Sequence, residues 1–235
     1  MKRFWTEAKV VAGDGAWGIE LDGRTLKTPA RADLRLPSEA LAQAIAAEWN
    51  AAPQTDIDPR EMPLTGLANA AIDRIAAQHD AFAADLAGFA TNELLCYRAI
   101  HPDPLVERER AAWDPLLDWA RERYDVSFEI TQGVSPVDQP PATLERLAAA
   151  VAAEDAFALA GLSHLVRGGG SLIAALAVRH EAFSVETAWE AVEIDRLYQI
   201  EQWGADEEAE KAAAARREDF LAGARFLTLL SGSST

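Results

Sequence analysis

The chain reads as an α+β protein, with a small N-terminal antiparallel β domain followed by a larger all-helical C-terminal domain. Three observations predict this. Short alternating apolar and polar runs, punctuated by Gly13-Asp14-Gly15 and Asp22-Gly23, stop near Pro37. A stretch from Pro53 to Pro63 holds three prolines and little periodicity. Beyond it, nearly every segment repeats apolar residues three and four apart, the spacing of one helix face. The expected domains are residues 1–37 and 38–235, with a linker reaching to about 63.

In chain order, Phe4 to Val11 reads as a first strand and Trp17 to Leu21 as a second. Asp22-Gly23 is the two-residue turn of a hairpin leading into Arg24–Thr28. Ala32 to Leu36 adds a further short strand. Ser38 is placed to cap a helix that buries Leu41, Ile45, Ala46 and Trp49. Helices are then predicted over 64–79, 81–98, 105–124, 143–153, 156–166, 171–179, 185–203 and 206–230, with a short strand at 127–131. The tail Ser231–Thr235 is expected to be disordered.

At 235 residues and 49% hydrophobic, the chain can bury a substantial core. Its formal net charge of −16 speaks against nucleic acid and anionic membrane surfaces, both of which are bound through basic side chains. No apolar run approaches a membrane span, so membrane insertion is not expected. Cys96 is the only cysteine, which rules out an intrachain disulfide. With no apolar signal segment and no room for a transit peptide before the first strand, a cytoplasmic location is expected.

Candidate chemistry is sparse. His180-Glu181 opens like a zinc-protease motif, but position 184 is Ser rather than the second His. The remaining histidines have no ligand spacing, so no metal is expected. Arg167-Gly168-Gly169-Gly170-Ser171 resembles an anion-binding helix start, yet it lacks the following Lys and the preceding strand, and a turn between helices is favoured. Cys96 lies among apolar residues and reads as a buried thiol. No catalytic residue, cofactor or acid–base pair is singled out.

The most informative segment is Val185–Trp203. On one continuous helix, Trp189, Val192, Ile200 and Trp203 form a core-facing stripe, while Ile194 and Tyr198 point roughly the opposite way. Asp195 and Gln199, four residues apart, share the edge of that stripe. A helix apolar on two sides is either buried all round or half of an interface, and the residues alone leave both open.

Seven blocks together match one family. They are Arg3-Phe4-Trp5, Leu21–Pro29, Ala44–Trp49, Met62–Asp73, Leu94–Arg98, Trp113–Trp119 and Tyr198–Gly204, in the family's order along the chain. On these blocks the chain resembles the assembly chaperones of the F-type ATP synthase that hold its α subunit, known from mitochondria and α-proteobacteria. Gly66 and Ala70 depart from it, standing where the family often has a basic residue and a Ser or Thr.

The resemblance implies a chaperone without enzymatic activity that binds the free α subunit and prevents its aggregation until the β subunit replaces it. It places the relatives in the mitochondrial matrix and this chain in a bacterial cytoplasm, as a monomer. The family's important acidic position falls on Asp195. The expected partner-binding residues are Asp195, Gln199, Tyr198, Ile194, Glu201 and Trp203, with Tyr198 and Ile194 as apolar contacts and Asp195 and Gln199 fixing register. Against this stands the simpler expectation that Asp195 pairs within the monomer. Two other classes of function stay open: a helical adaptor or scaffold with another client, and an unrecognised hydrolase.

Overall fold

The computed structural model describes residues 3–13, 15–53, 55, 57–133 and 135–232. Asp14 in the first predicted turn and Ser233–Thr235 of the tail lie outside the described residues. The chain divides into two compact units.

The first unit comprises Met1–His79, Asp155–Gly161 and Arg225–Thr235. Its sheet is an antiparallel meander of β1 (Ala8–Gly13), β2 (Ala16–Leu21) and β3 (Arg24–Thr25). Val10 faces Ile19 across the first pair. Asp22 and Gly23 both adopt positive φ, which makes the tight hairpin that their identities predict. The strand expected over 32–36 reduces to two isolated bridges, Leu36 with Trp17 and Asp33 with Lys27. The first strand begins at Ala8 rather than Phe4. Before it, Trp5 is buried, and its indole N–H donates to the Trp49 carbonyl at 3.2 Å.

Helix α1 (Glu39–Ala51) starts where predicted, with Ser38 Oγ accepting from the Leu41 N–H. Leu41, Ile45, Ala46 and Trp49 are its buried face. Near its end the Asn50 amide pairs in both directions with the backbone of Ala8, at 2.8 and 2.9 Å, which fastens the helix to β1.

The helix predicted over 64–79 is not continuous. It consists of α2 (Pro63–Ala70), a π-helical turn over Ala71–Ile75 and a 3-10 turn over Ala76–Gln78. The Glu48 carboxylate caps α2, accepting from the N–H groups of Leu64 and Thr65 at 2.8 and 2.9 Å. Asp73, in the π-helical turn, accepts from the Thr28 hydroxyl at 2.6 Å and the Ala30 N–H at 3.0 Å. The unit that holds the sheet therefore runs on through α1 and α2 to His79.

The second unit comprises Asp80–Glu154 and Leu162–Ala224. Its helices are α3 (His79–Ala87), α4 (Asp103–Tyr124), α5 (Pro141–Ala152), α6 (Ala156–Gly169), α7 (Leu172–Arg179), α8 (Val185–Val192), α9 (Ile194–Trp203) and α10 (Glu207–Ser231). Residues of α6 up to Gly161, and of α10 from Arg225, belong to the first unit. The helix predicted over 81–98 stops at Ala87, and two 3-10 turns, Gly88–Asn92 and Leu94–Cys96, lead into β4 (Tyr97–Arg98). That strand pairs in parallel with β5 (Thr131–Gln132), so the strand expected over 127–131 overlaps the observed one only at Thr131. No helix among the described residues is long and apolar enough to cross a membrane.

Helix α4 is the hub of this unit and packs on α5, α7, α8 and α9. It buries Trp113, Leu116, Leu117 and Ala120, and the Trp113 indole donates to the Ala191 carbonyl at 2.7 Å. Arg98 donates to Asp114 at 2.8 Å, and its guanidinium lies over the Trp113 ring.

The anion-binding helix start considered at Gly168–Ser171 is filled from within. The buried Glu93 carboxyl accepts from the Leu172 and Ile173 N–H groups at 3.0 and 3.2 Å, and from the Ser171 hydroxyl. Ser171 is the N-cap of α7 as expected. Burial pushes the Glu93 carboxyl up to about 7, against the pull of those hydrogen bonds. Gly168 and Gly169 are packing requirements, because a Cβ on Gly169 would stand 3.0 Å from the Phe220 ring. Cys96 is a buried thiol, pushed up to about 12 by burial and the nearby Glu93 charge.

Candidate functional site

The segment 185–203 is two helices. Ser184 caps α8, its hydroxyl accepting from the Thr187 N–H at 3.1 Å. At Glu193 the backbone leaves the helical region (φ −99°, ψ 3°), and α9 begins at the next residue. The Glu193 carboxylate at this break is buried and claimed by two cations. Arg216 reaches it at 2.9 Å, and Arg196 pairs with both Glu193 and Glu210. A buried carboxylate is tolerable only when it is paired in this way.

The break resets the helical phase, and the predicted faces change with it. Trp189 is buried as expected, but so is Tyr198, which the continuous helix had placed outside. Trp203, on the predicted core stripe but also among the expected partner-binding residues, is 79% exposed. Leu197, to which the sequence pattern assigned no role, is 39% exposed. Tyr198 therefore offers no outward apolar contact; it lies beneath the Arg108 guanidinium, 5.3 Å from the ring centroid. Ile194 and Asp195 are half-buried and Gln199 is exposed.

Asp195 does pair within the chain. Its carboxyl is hydrogen-bonded to that of Glu109, which is 1% exposed on α4 and also accepts from the Ala99 N–H at 2.8 Å. Burial, and then the hydrogen bond and charge of Asp195, push Glu109 up to about 7. Six residues further along α9, Glu201 accepts twice from Arg108, at 2.9 and 2.8 Å.

Sequence reasoning missed Glu109, Arg108 and Leu197. The signal for Glu109 was available: it falls in phase with Trp113, Leu116 and Ala120, so the carboxyl sits on the buried face of its own helix. Among the described residues, no group of three or more His, Cys, Asp or Glu is placed to hold a metal ion.

Helix α9 thus presents the exposed apolar side chains of Leu197 and Trp203 among carboxyl groups. The profile of the ATP12 chaperone protein family matches residues 2–121. The crystal structure of Atp12 from Paracoccus denitrificans is 45% identical and superposes with a TM-score of 0.93, covering 97% of this chain and 98% of that one.

The chain belongs to the ATP12 chaperone family. A second Paracoccus structure, of an aspartate-to-lysine variant of Atp12p, is 44% identical with the same TM-score, covering 97% of both chains. The mitochondrial protein atp12 of Schizosaccharomyces pombe is 25% identical over 97% of this chain and 82% of its own length.

Membership in the ATP12 family accounts for the sequence blocks, and the structure shows what several of them do. Glu48, Asp73, Arg98, Trp113 and Asp114 are all spent on internal ties. The last block differs, because it carries the exposed Trp203.

Proposed function

We propose that this chain is an assembly chaperone for the catalytic head of the F-type ATP synthase, and that it holds the free α subunit until the β subunit replaces it. The observation that carries this is the match to an Atp12 structure over 97% of the chain, joined to an apolar and acidic surface on α9. An unassembled subunit exposes the apolar area that its neighbour will later cover, and such patches aggregate. Covering the patch requires no bond to be made or broken. Leu197, Ile194 and Trp203 supply apolar contact, Asp195, Gln199 and Glu201 supply the polar edge, and Tyr198 stiffens the helix from beneath. Release follows when β competes with a larger interface.

The test is an aggregation assay. Purified α subunit is diluted from denaturant with or without an equimolar amount of the chain, and light scattering is followed, with β subunit in a parallel arm. Suppression for α and not for β is expected. Equal scattering of α with and without the chain would overturn the proposal.

A further inference from the structure

We infer that the cleft bounded by α4, α8 and α9 is the seat of one amphipathic helix of the client, apolar on the side that enters and carrying lysine or arginine at its flanks. This rests on the chaperone reading and specifies which part of a client is held. The cleft has a volume of about 500 Å³, within the range of clefts that enclose a ligand-sized group. It is lined by Ala111 and Ala112 of α4, Ala191 of α8, and Ile194 and Leu197 of α9. Alanines on facing helices leave a trough where larger residues would have interdigitated. Such a trough between helices takes a ridge of side chains from a further helix.

Charge decides which helix. The rim carries Glu190, Glu201 and Arg108. Arg108 and Glu201 neutralise each other, which leaves the rim with the negative charge of Glu190. Glu186 extends the acidic edge one turn along α8, and the whole chain carries −16. An acidic client helix would meet repulsion at this rim and throughout its approach, whereas a basic one is drawn in. A membrane surface or nucleic acid is disfavoured by the same charge.

Two synthetic helical peptides with identical leucine patterns, one with lysine and one with glutamate at the polar positions, provide the probe. They are titrated against the full chain by fluorescence anisotropy, alongside the α-subunit aggregation assay. The lysine peptide is expected to bind at least about tenfold more tightly than the glutamate peptide. Ala111→Trp, which fills the cleft from an exposed position, should weaken lysine-peptide binding by about tenfold or more and remove protection of α. Glu190→Lys should weaken it by about three- to tenfold. Leu197→Glu, on the α9 side of the cleft, is the second blocking variant should Ala111→Trp lower the melting temperature.

If the wild type protects α and the blocked variants protect it equally, the cleft is refuted and the chaperone reading stands. Failure of the wild type to protect α, with selective cleft-dependent binding of the lysine peptide, supports the cleft and refutes the α-subunit reading. Equal binding of both peptides, or none, refutes the cleft.

Discussion

The carboxyl group of Glu109 on α4 is hydrogen-bonded to that of Asp195 on α9. Two carboxyls can share a hydrogen bond only while one of them keeps its proton. Glu109 is the more deeply buried of the two, and burial together with its partner's charge raises it to about 7. Glu93, buried at the start of α7, is raised to about the same value by burial alone. The second unit therefore carries two carboxyls that favour protonation near neutral pH.

The first prediction is a stability that falls as the solution becomes more alkaline. Both groups bind a proton more tightly folded than unfolded, where their value is 4.5. Their stabilising contribution is fully present below 4.5 and is lost as pH rises through about 7. The melting temperature should fall between pH 5 and pH 8 by ~5–10 °C, taking a few kcal/mol in all and ~2–4 °C per kcal/mol for a chain of this size. Glu109→Gln should flatten that dependence. His180, held below its ordinary value by burial, works in the opposite direction in both proteins, so an unchanged dependence in Glu109→Gln is the result that would contradict the raised value of Glu109.

The second prediction concerns Asp195→Asn. The amide can still hydrogen-bond to Glu109 but removes the like charge, so at pH 8 the variant should melt at or above the wild type, by up to about 1 kcal/mol. Protection of the α subunit should nevertheless fall, since a half-buried carboxylate that orders a contact is costly to neutralise. Loss of the fold would mean that Asp195 serves the monomer alone.

How much of this was legible beforehand depended on whether the cue was local. The Asp22-Gly23 hairpin, the Ser38 and Ser171 caps and the core face of α1 were readable because neighbouring residues determine them. The predicted helix over 185–203 is interrupted at Glu193, whose buried carboxylate pairs with Arg216, far along the chain. Periodicity cannot register such a partner, and one missed break turned Tyr198 inward and Trp203 outward. The π-helical turn at Ala71–Ile75 escaped for the same reason, since Asp73 is held by Thr28 and Ala30. The Glu109–Asp195 pair was half legible, as a carboxyl on a buried stripe, but its partner was not.

The third prediction follows from that break. Glu193→Ala leaves Arg196 and Arg216 without their shared carboxylate and should destabilise the protein by about 3–5 kcal/mol. Urea denaturation would register this as a lower midpoint. Glu193→Gln, which keeps hydrogen-bonding capacity without the charge, should lose less than the alanine variant. Equal midpoints for Glu193→Ala and the wild type would mean that the pairs add nothing to stability.

The last prediction sets Trp203 against Tyr198, because the phase reset gives these neighbours on α9 opposite roles. Tyr198→Ala removes a buried ring from beneath Arg108 and should cost about 2–4 kcal/mol of stability. Trp203→Ala removes an exposed side chain and should change stability by less than ~0.5 kcal/mol. For binding of the α subunit the order reverses: exposed aromatic anchors carry a disproportionate share of interface energy, so Trp203→Ala should weaken the complex by about 1–3 kcal/mol, read by isothermal titration. A continuous helix would assign the roles the other way round, with Trp203 sustaining the fold and Tyr198 the contact. Urea midpoints and binding constants for the two variants therefore test the break at Glu193 and the interface on α9 in one comparison.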